Sequence, residues 1–227
     1  GQLPPGPLGI AALRDIDAKV DALLVATETQ RLLEPESWDV DLDLGDGTRL
    51  TGTVAGVRGD ALLTLTPSTL SAKHRLRAWI DLVALTAAHP DREWQATTVG
   101  KDAWSSTLGP ISPDTAETVV RDLVSLYRNG LQSPLPLPIK TAAEYAGRRD
   151  RGDDPADALL AADRQWVDGD KIPGEQSDAA HLLIHGAKPE ITVLTAAPGD
   201  GSEPHLFGQL ARRLWQPLLD AETQGRL

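Results

Sequence analysis

Trp38-Asp39-Val40-Asp41-Leu42-Asp43-Leu44, followed by Gly45-Asp46-Gly47 and then Thr48 to Val57, is the stretch on which the fold turns. Apolar and acidic residues alternate strictly over its first seven positions. Successive side chains of a strand point to opposite faces, so Trp38, Val40, Leu42 and Leu44 belong to a core and Asp39, Asp41 and Asp43 to solvent. The Gly-Asp-Gly triplet is a hairpin turn, which makes Thr48 to Val57 the returning strand. Arg58-Gly59-Asp60 turns the chain again, and Ala61-Leu62-Leu63-Thr64-Leu65-Thr66 runs back as a third strand. Three strands joined by tight turns form an antiparallel meander.

Pro67 and Ser68 break the third strand, and a helix follows to about His89 with Leu70, Leu76, Trp79, Ile80, Val83 and Leu85 apolar. Glu93 to Val99 fits a further strand anchored by Trp94. Upstream, Ile10, Leu13, Ile16, Val20, Leu23 and Leu24 recur at helical spacing, which predicts an amphipathic helix from about Ile10 to Leu33, ended by Pro35. The order is α-β-β-β-α-β. We expect an α/β (α+β) fold in which residues 1–110 form a core with a mixed sheet flanked by helices, and residues 111–227 a helical C-terminal elaboration of the same domain.

In that second half, Ser112-Pro113-Asp114 starts a helix, with Ser as cap and Pro at the first position, and Val119, Val120, Leu123, Leu126 and Tyr127 as its buried stripe. Asn129-Gly130 stops it. Pro134-Leu135-Pro136-Leu137-Pro138 is extended, because alternating prolines exclude a helix; it reads as a connector rather than a ligand for a proline-binding domain. Arg148 to Asp154 reads as a solvated mixed-charge loop, and Asp154-Pro155 as the start of a helix running toward Trp166. Ser177 to His185 is a short helix stopped by Gly186, Ile191 to Ala196 a buried strand, and Ser202 to Trp215 a last helix ended or kinked at Pro217.

At 41% hydrophobic content, 227 residues can bury one substantial core. No apolar run approaches the roughly 18 residues of a membrane span and no segment reads as a signal peptide, so we expect a soluble, cytoplasmic protein without a membrane partner. With no cysteine, disulfides, thiolate zinc sites and iron–sulfur clusters are excluded. The chain has no methionine either, which suggests a domain excised from something longer. A net charge of −11 argues against an autonomous module held on DNA by a broad basic surface, but leaves room for a local basic groove.

The α-β-β-β-α-β order is shared with the PD-(D/E)xK (restriction-endonuclease-like) nucleases, which place one acid on the second strand and an acid-x-lysine on the third. Two carboxylates hold Mg²⁺, and the lysine helps position or deprotonate water. Gly52-Thr53-Val54-Ala55 resembles the Gly-x-x-Asp of that second strand, with Ala55 in the acid's place, and Thr64-Leu65-Thr66 stands for acid-x-lysine. A neutral hydroxyl is a poor ligand for a hard cation and cannot supply a lysine's charge. The sole acid-x-lysine in the chain, Asp17-Ala18-Lys19, lies inside the first helix, so a slip of register does not rescue the site. The positions Ala55, Thr64 and Thr66 read as degenerate; we assign no catalytic residue, metal or cofactor.

Further motifs carry a closer resemblance. Leu3-Pro4-Pro5-Gly6-x-Leu8-Gly9, His74-x-Leu76-x-Ala78-Trp79-Ile80-Asp81-Leu82, Tyr127-Arg128-x-Gly130-Leu131-x-x-Pro134-Leu135-Pro136 with Lys140 and Tyr145, and Phe207-x-x-Leu210-Ala211-x-x-Leu214-Trp215-x-Pro217-Leu218 resemble the C-terminal domain of RecC, the gamma chain of exodeoxyribonuclease V. The resemblance covers nearly the whole chain and is most specific from Tyr127 to Tyr145. It implies a nuclease-like fold without nuclease chemistry, within a RecBCD helicase–nuclease of double-strand break repair and recombination. There it would hold RecB-like and RecD-like subunits together and help split or guide DNA.

Lys73, His74, Arg75 and Arg77 form the best local basic cluster; Lys73 and Arg77, four apart on one helical face, suit a phosphate backbone, with a solvated helix end as the bland alternative. Arg212 and Arg213 read as surface charges or partner contacts. His181 and His185, with Asp178 one turn before, have a spacing that can share a metal, although structural histidines carry the same spacing. A rival enzyme reading is a divergent Mg²⁺-dependent nuclease whose carboxylates moved, to Asp43, Asp60 or Glu93. Serine-hydrolase elbows, phosphate loops and dinucleotide fingerprints are absent.

Overall fold

A computed structural model describes residues 4–45, 47–170 and 172–227. Leu3 of the Leu3 to Gly9 motif and Asp46 of the hairpin turn lie outside the described residues. The chain divides into two compact units, Gly1–Thr118 with Glu222–Leu227, and Val119–Ala221.

The first unit is built on a six-stranded mixed sheet in sequential order: β1 (Glu36–Asp43), β2 (Arg49–Arg58), β3 (Ala61–Leu65), β4 (Gln95–Val99), β5 (Trp104–Leu108) and β6 (Glu222–Arg226). All neighbours are antiparallel except β3 and β4, whose parallel pairing requires a crossover. That crossover is α2 (Ala72–Ala88). Its start is fixed by a capping box: the Ser71 amide donates to His74 Nδ1 at 3.2 Å, and the Ser71 hydroxyl lies 3.1 Å from the same nitrogen. Its buried face carries Ala78, Trp79, Leu82, Val83 and Leu85. The sheet opposes it with Val40, Val54, Val57, Leu62, Ala96 and Leu108, and Trp94 is wholly buried beside them. Each fully buried Val or Leu among them contributes roughly 1.5–3 kcal/mol on leaving water.

The expected α-β-β-β-α-β order is present, with β5 and β6 added. The first helix, α1 (Pro7–Ala26), is shorter than expected. It stops because Thr27 leaves helical geometry while its hydroxyl donates back to the Leu23 carbonyl at 2.7 Å, and a 3-10 turn follows at Thr29–Arg31. Its apolar stripe is not the buried face that periodicity suggests. Leu23 is buried, whereas Leu13 and Ile16 are each 44% exposed.

One irregularity sets the geometry of the central strands. Val54 and Val57 are three residues apart, so in a regular strand they would point to opposite faces, yet both are buried. Gly56, at φ +82°, is an extra residue in the pairing: Ser37 opposes Ala55 while Glu36 opposes Val57. This bulge returns Val57 to the α2 side.

The second unit is helical. α3 (Pro113–Gln132) crosses the division between the units and continues through Asn129 and Gly130, the expected stop. Beyond the proline connector come α4 (Ile139–Asp150), α5 (Pro155–Trp166), α6 (Ala179–His185) and α7 (Leu206–Asp220). α4 packs on α5 and α7, with Tyr145, Trp166, Phe207 and Trp215 fully buried. Asp154 caps α5 as expected, accepting from the amides of Ala156 and Asp157 at 2.9 Å each. Two expectations are corrected. Arg148 to Asp150 form the last turn of α4 rather than a loop. The strand expected near 190–196 is a 3-10 turn at Ile191–Val193. There the Trp166 indole donates to Pro189 O at 2.7 Å and Leu194 alone is deeply buried, so one inward residue replaces an alternating row. α7 passes through Pro217, which lies inside it.

Candidate functional site

Of the three positions read from sequence as degenerate, Ala55 falls on β2, Thr64 on β3 and Thr66 one residue past β3. Thr64 opposes Thr98 in register, on the face of Leu62 and Ala96 that α2 covers, and is itself exposed. Thr66 is buried just past the strand end; its amide donates to Val99 O at 2.9 Å and its hydroxyl lies 2.8 Å from that of Ser68. Ala55 is exposed and opposes Ser37. Because the Gly56 bulge puts Val57 with Leu62 and Val54 with Trp38, strand alternation turns Ala55 to the opposite face from Thr64. The three positions therefore do not converge on one point, and none carries charge.

The buried acid of this sheet sits elsewhere. Glu222 opens β6, and its side chain is 3% exposed. It accepts from Arg75 Nε at 2.7 Å, from the Ser106 hydroxyl at 2.5 Å and from Gln224 Nε2 at 2.9 Å. A second nitrogen of Arg75 completes a bidentate pair with it. Sequence reading missed Glu222, and Glu-Thr-Gln-Gly-Arg has no apolar alternation that could have revealed a strand. β5 left more of a signal: Trp104-Ser105-Ser106-Thr107-Leu108 is bounded by Asp102 and Gly109-Pro110 and contains β-favouring residues.

The expected basic cluster splits by role. His74 belongs to the α2 cap and Arg75 to the buried pair, whereas Lys73 and Arg77 are exposed. Arg77 also acts on Asp81 one turn on, whose carboxyl is pushed up by burial and drawn down by that guanidinium. Arg213 is not a simple surface charge: its Nε donates to both oxygens of Asp122 at 2.8 and 3.0 Å.

The carboxylates weighed for a relocated site stay apart in function. Asp60 accepts from Arg92 Nε at 2.5 Å, and that guanidinium lies over the rings of Trp38 and Trp94. Asp43 accepts from the Gly45 amide, and Glu93 is exposed. Asp39, Asp41 and Asp43 line the solvent face of β1 as read from sequence; Thr53 donates to Asp39 and Arg49 to Asp41. His181 and His185 stack at 6.2 Å with the Trp166 ring against His181. Among the described residues no group of three or more His, Asp or Glu side chains could hold a metal.

The second unit holds two carboxylates that sequence reading did not single out. Glu203, 2% exposed, accepts from the Tyr145 hydroxyl at 2.5 Å and from Arg149 Nε at 2.9 Å, with Arg212 Nη1 at 3.5 Å. Burial first, then Glu203, pushes the Tyr145 phenol well above its ordinary range. Glu175 reaches the start of α4, accepting from the Lys140 amide at 2.9 Å and from the amide and hydroxyl of Thr141 at 2.8 Å each. Its charge sits at the positive end of a helix that has no side-chain cap of its own. Lys140 and Tyr145, picked out within the Tyr127 to Tyr145 motif, thus meet buried acids supplied from downstream.

The profile of the RecC C-terminal domain family matches residues 1–150. The RecBCD enzyme subunit RecC of Mycobacterium tuberculosis is 38% identical over 98% of this chain, and that of Mycolicibacterium smegmatis 41% identical over 100%. In each case the chain spans 21% of the relative's length. The similarity runs past residue 150 through the elements that supply Glu175, Glu203 and Glu222, and the chain belongs to the RecC C-terminal domain family.

Proposed function

We propose that this chain is a non-catalytic domain of a RecC subunit in a RecBCD-type helicase–nuclease of double-strand break repair and recombination, serving as scaffold for RecB-like and RecD-like subunits and helping to guide or split DNA. The observation that carries the non-catalytic reading is geometric. Ala55 and Thr64 lie on opposite faces of the sheet, all three expected charge positions are neutral, and the buried acid Glu222 is taken up by Arg75. Two-metal or one-metal phosphodiester cleavage needs converging carboxylates. The scaffold reading draws on the family and on the names of the relatives. Lys73 and Arg77 are the candidates for DNA contact within the assembled complex, with Arg75 serving the fold.

Two measurements test this. The purified chain, given linear DNA with Mg²⁺ or Mn²⁺, is expected to release no acid-soluble nucleotide. Metal-dependent cleavage abolished by Asp60→Ala or Glu93→Ala establishes the divergent nuclease instead. Deleting the domain from its full-length RecC is expected to impair co-purification with the partner subunits, and undiminished assembly refutes the scaffold.

A further inference from the structure

The first unit contains a cavity of about 340 Å³, within the range of small-ligand sites, lined by Asp15, Lys19, Pro67, Lys101, Asp102 and Arg226 among others. It lies at the carboxyl ends of the parallel pair, since Pro67 follows β3 and Lys101 follows β4. Side chains and backbone turns gather at such strand ends from several elements, which is why open parallel sheets place ligands there.

Its charges are unusual for this chain. Three cations and two carboxylates line the cavity, a positive balance in a chain of net charge −11. The carboxylates offset the cations unevenly. Lys19 donates to Asp15 at 2.5 Å, but Lys101 Nζ stands 3.8 Å from Asp102, beyond hydrogen-bonding range, and Arg226 gives Nε to the Asp102 carbonyl rather than to a carboxylate. Lys101 and the remaining guanidinium donors of Arg226 are thus the least compensated groups of the cavity.

The backbone there is also specialised. Asp102 and Ala103, consecutive and neither of them glycine, have φ of +60° and +57°. Side chains are disfavoured in that region, and such residues collect at binding sites. β6 pins the turn: besides the Arg226 bond, the Leu227 amide donates to Ala103 O at 3.0 Å. Successive amides in turns of this sort form concavities that hold anions.

We propose that this cavity binds a phosphate group, carried by a nucleic-acid strand or by a small free phosphate, with Lys101 and Arg226 as its principal donors. A phosphate accepts a lysine point charge and a guanidinium fork together, and the carboxylates Asp15 and Asp102 set an upper limit on affinity by repelling it. The site stands independently of the scaffold reading, since it makes no use of partner subunits.

The test is a ¹⁵N NMR titration of the 227-residue chain with inorganic phosphate and, separately, with a short single-stranded oligonucleotide. Amide shifts are expected at Lys101 to Ala103 and at Arg226. Lys101→Gln and Arg226→Gln should each weaken binding about tenfold through loss of a charge-assisted contact. Asp102→Asn, which removes a repelling charge and keeps a residue tolerant of positive φ, should strengthen it about threefold. An oligonucleotide that saturates these shifts at lower concentration than phosphate assigns the site to a strand; the reverse assigns it to a small phosphate. No shift at the cavity with either ligand, or binding indifferent to all three substitutions, overturns the proposal. Since Lys101→Gln touches no backbone bond, loss of fold in Arg226→Gln leaves the test intact.

Discussion

Glu203 shows how a single buried side chain ties a fold together. Its carboxylate is satisfied by a phenol and a guanidinium from α4, with Arg212 of α7 close by. Tyr145→Phe should cost about 1–3 kcal/mol in urea unfolding, because it strands a buried acceptor. Arg149→Met should cost more, about 3–5 kcal/mol, because it leaves a charge without its main counterion. His181 makes a second prediction. Burial against Trp166 lowers its pKa, with Glu175 and Asp178 pulling upward and His185 downward. A base whose folded pKa lies below its unfolded value of about 6.5 stabilises the fold above that pH and loses the contribution as pH falls. The thermal midpoint should therefore drop from pH 7 toward pH 5, and His181→Gln should flatten that slope. Neither role was legible from sequence. An i, i+4 histidine pair reads the same whether it holds a metal or packs on a tryptophan, and Glu203 is one acid among 33 acidic residues.

Elements were legible in proportion to their periodicity. β1, β2, β3 and α2 follow from alternation, turns and helical spacing, with bounds close to those expected. β6 does not, because its place is decided by pairing with β5 and by one ion pair far away in sequence. Ile191 to Ala196 failed in the opposite way: an apolar run invites a strand, but a run without a neighbouring strand to pair with has no reason to stay extended. Glu222→Ala tests what holds β6. Removing the acid withdraws the buried counterion of Arg75, with an expected loss of about 3–5 kcal/mol, whereas Thr223→Ala on the same strand, at an exposed position, should change stability by less than about 0.5 kcal/mol. Equal effects at the two positions, read from chemical denaturation, would falsify the assignment of the pair as the clamp.

For the whole molecule, the order of the chain and the order of the fold differ. The sheet of the first unit closes with residues that follow the entire second unit. A fragment ending at residue 150, where the family profile stops, lacks β6 and also the acids Glu175 and Glu203 that hydrogen-bond to α4. We expect that fragment to give no cooperative thermal transition, in contrast to the 227-residue chain, and circular dichroism will show which holds. The candidate site was half legible: sequence revealed that the expected charges are missing but not that their positions have parted, since a bulge is invisible until partners are known. The Gly56 bulge also limits what substitution alone can build. Asp, Glu and Lys written at positions 55, 64 and 66 would match the letters of the nuclease pattern, yet the first would point to the opposite face from the second. Position 55 would share the face of Val57 only if Gly56 became an ordinary paired residue, which shifts the β1–β2 register on one side of it, so substitutions at these three positions do not by themselves assemble a metal site.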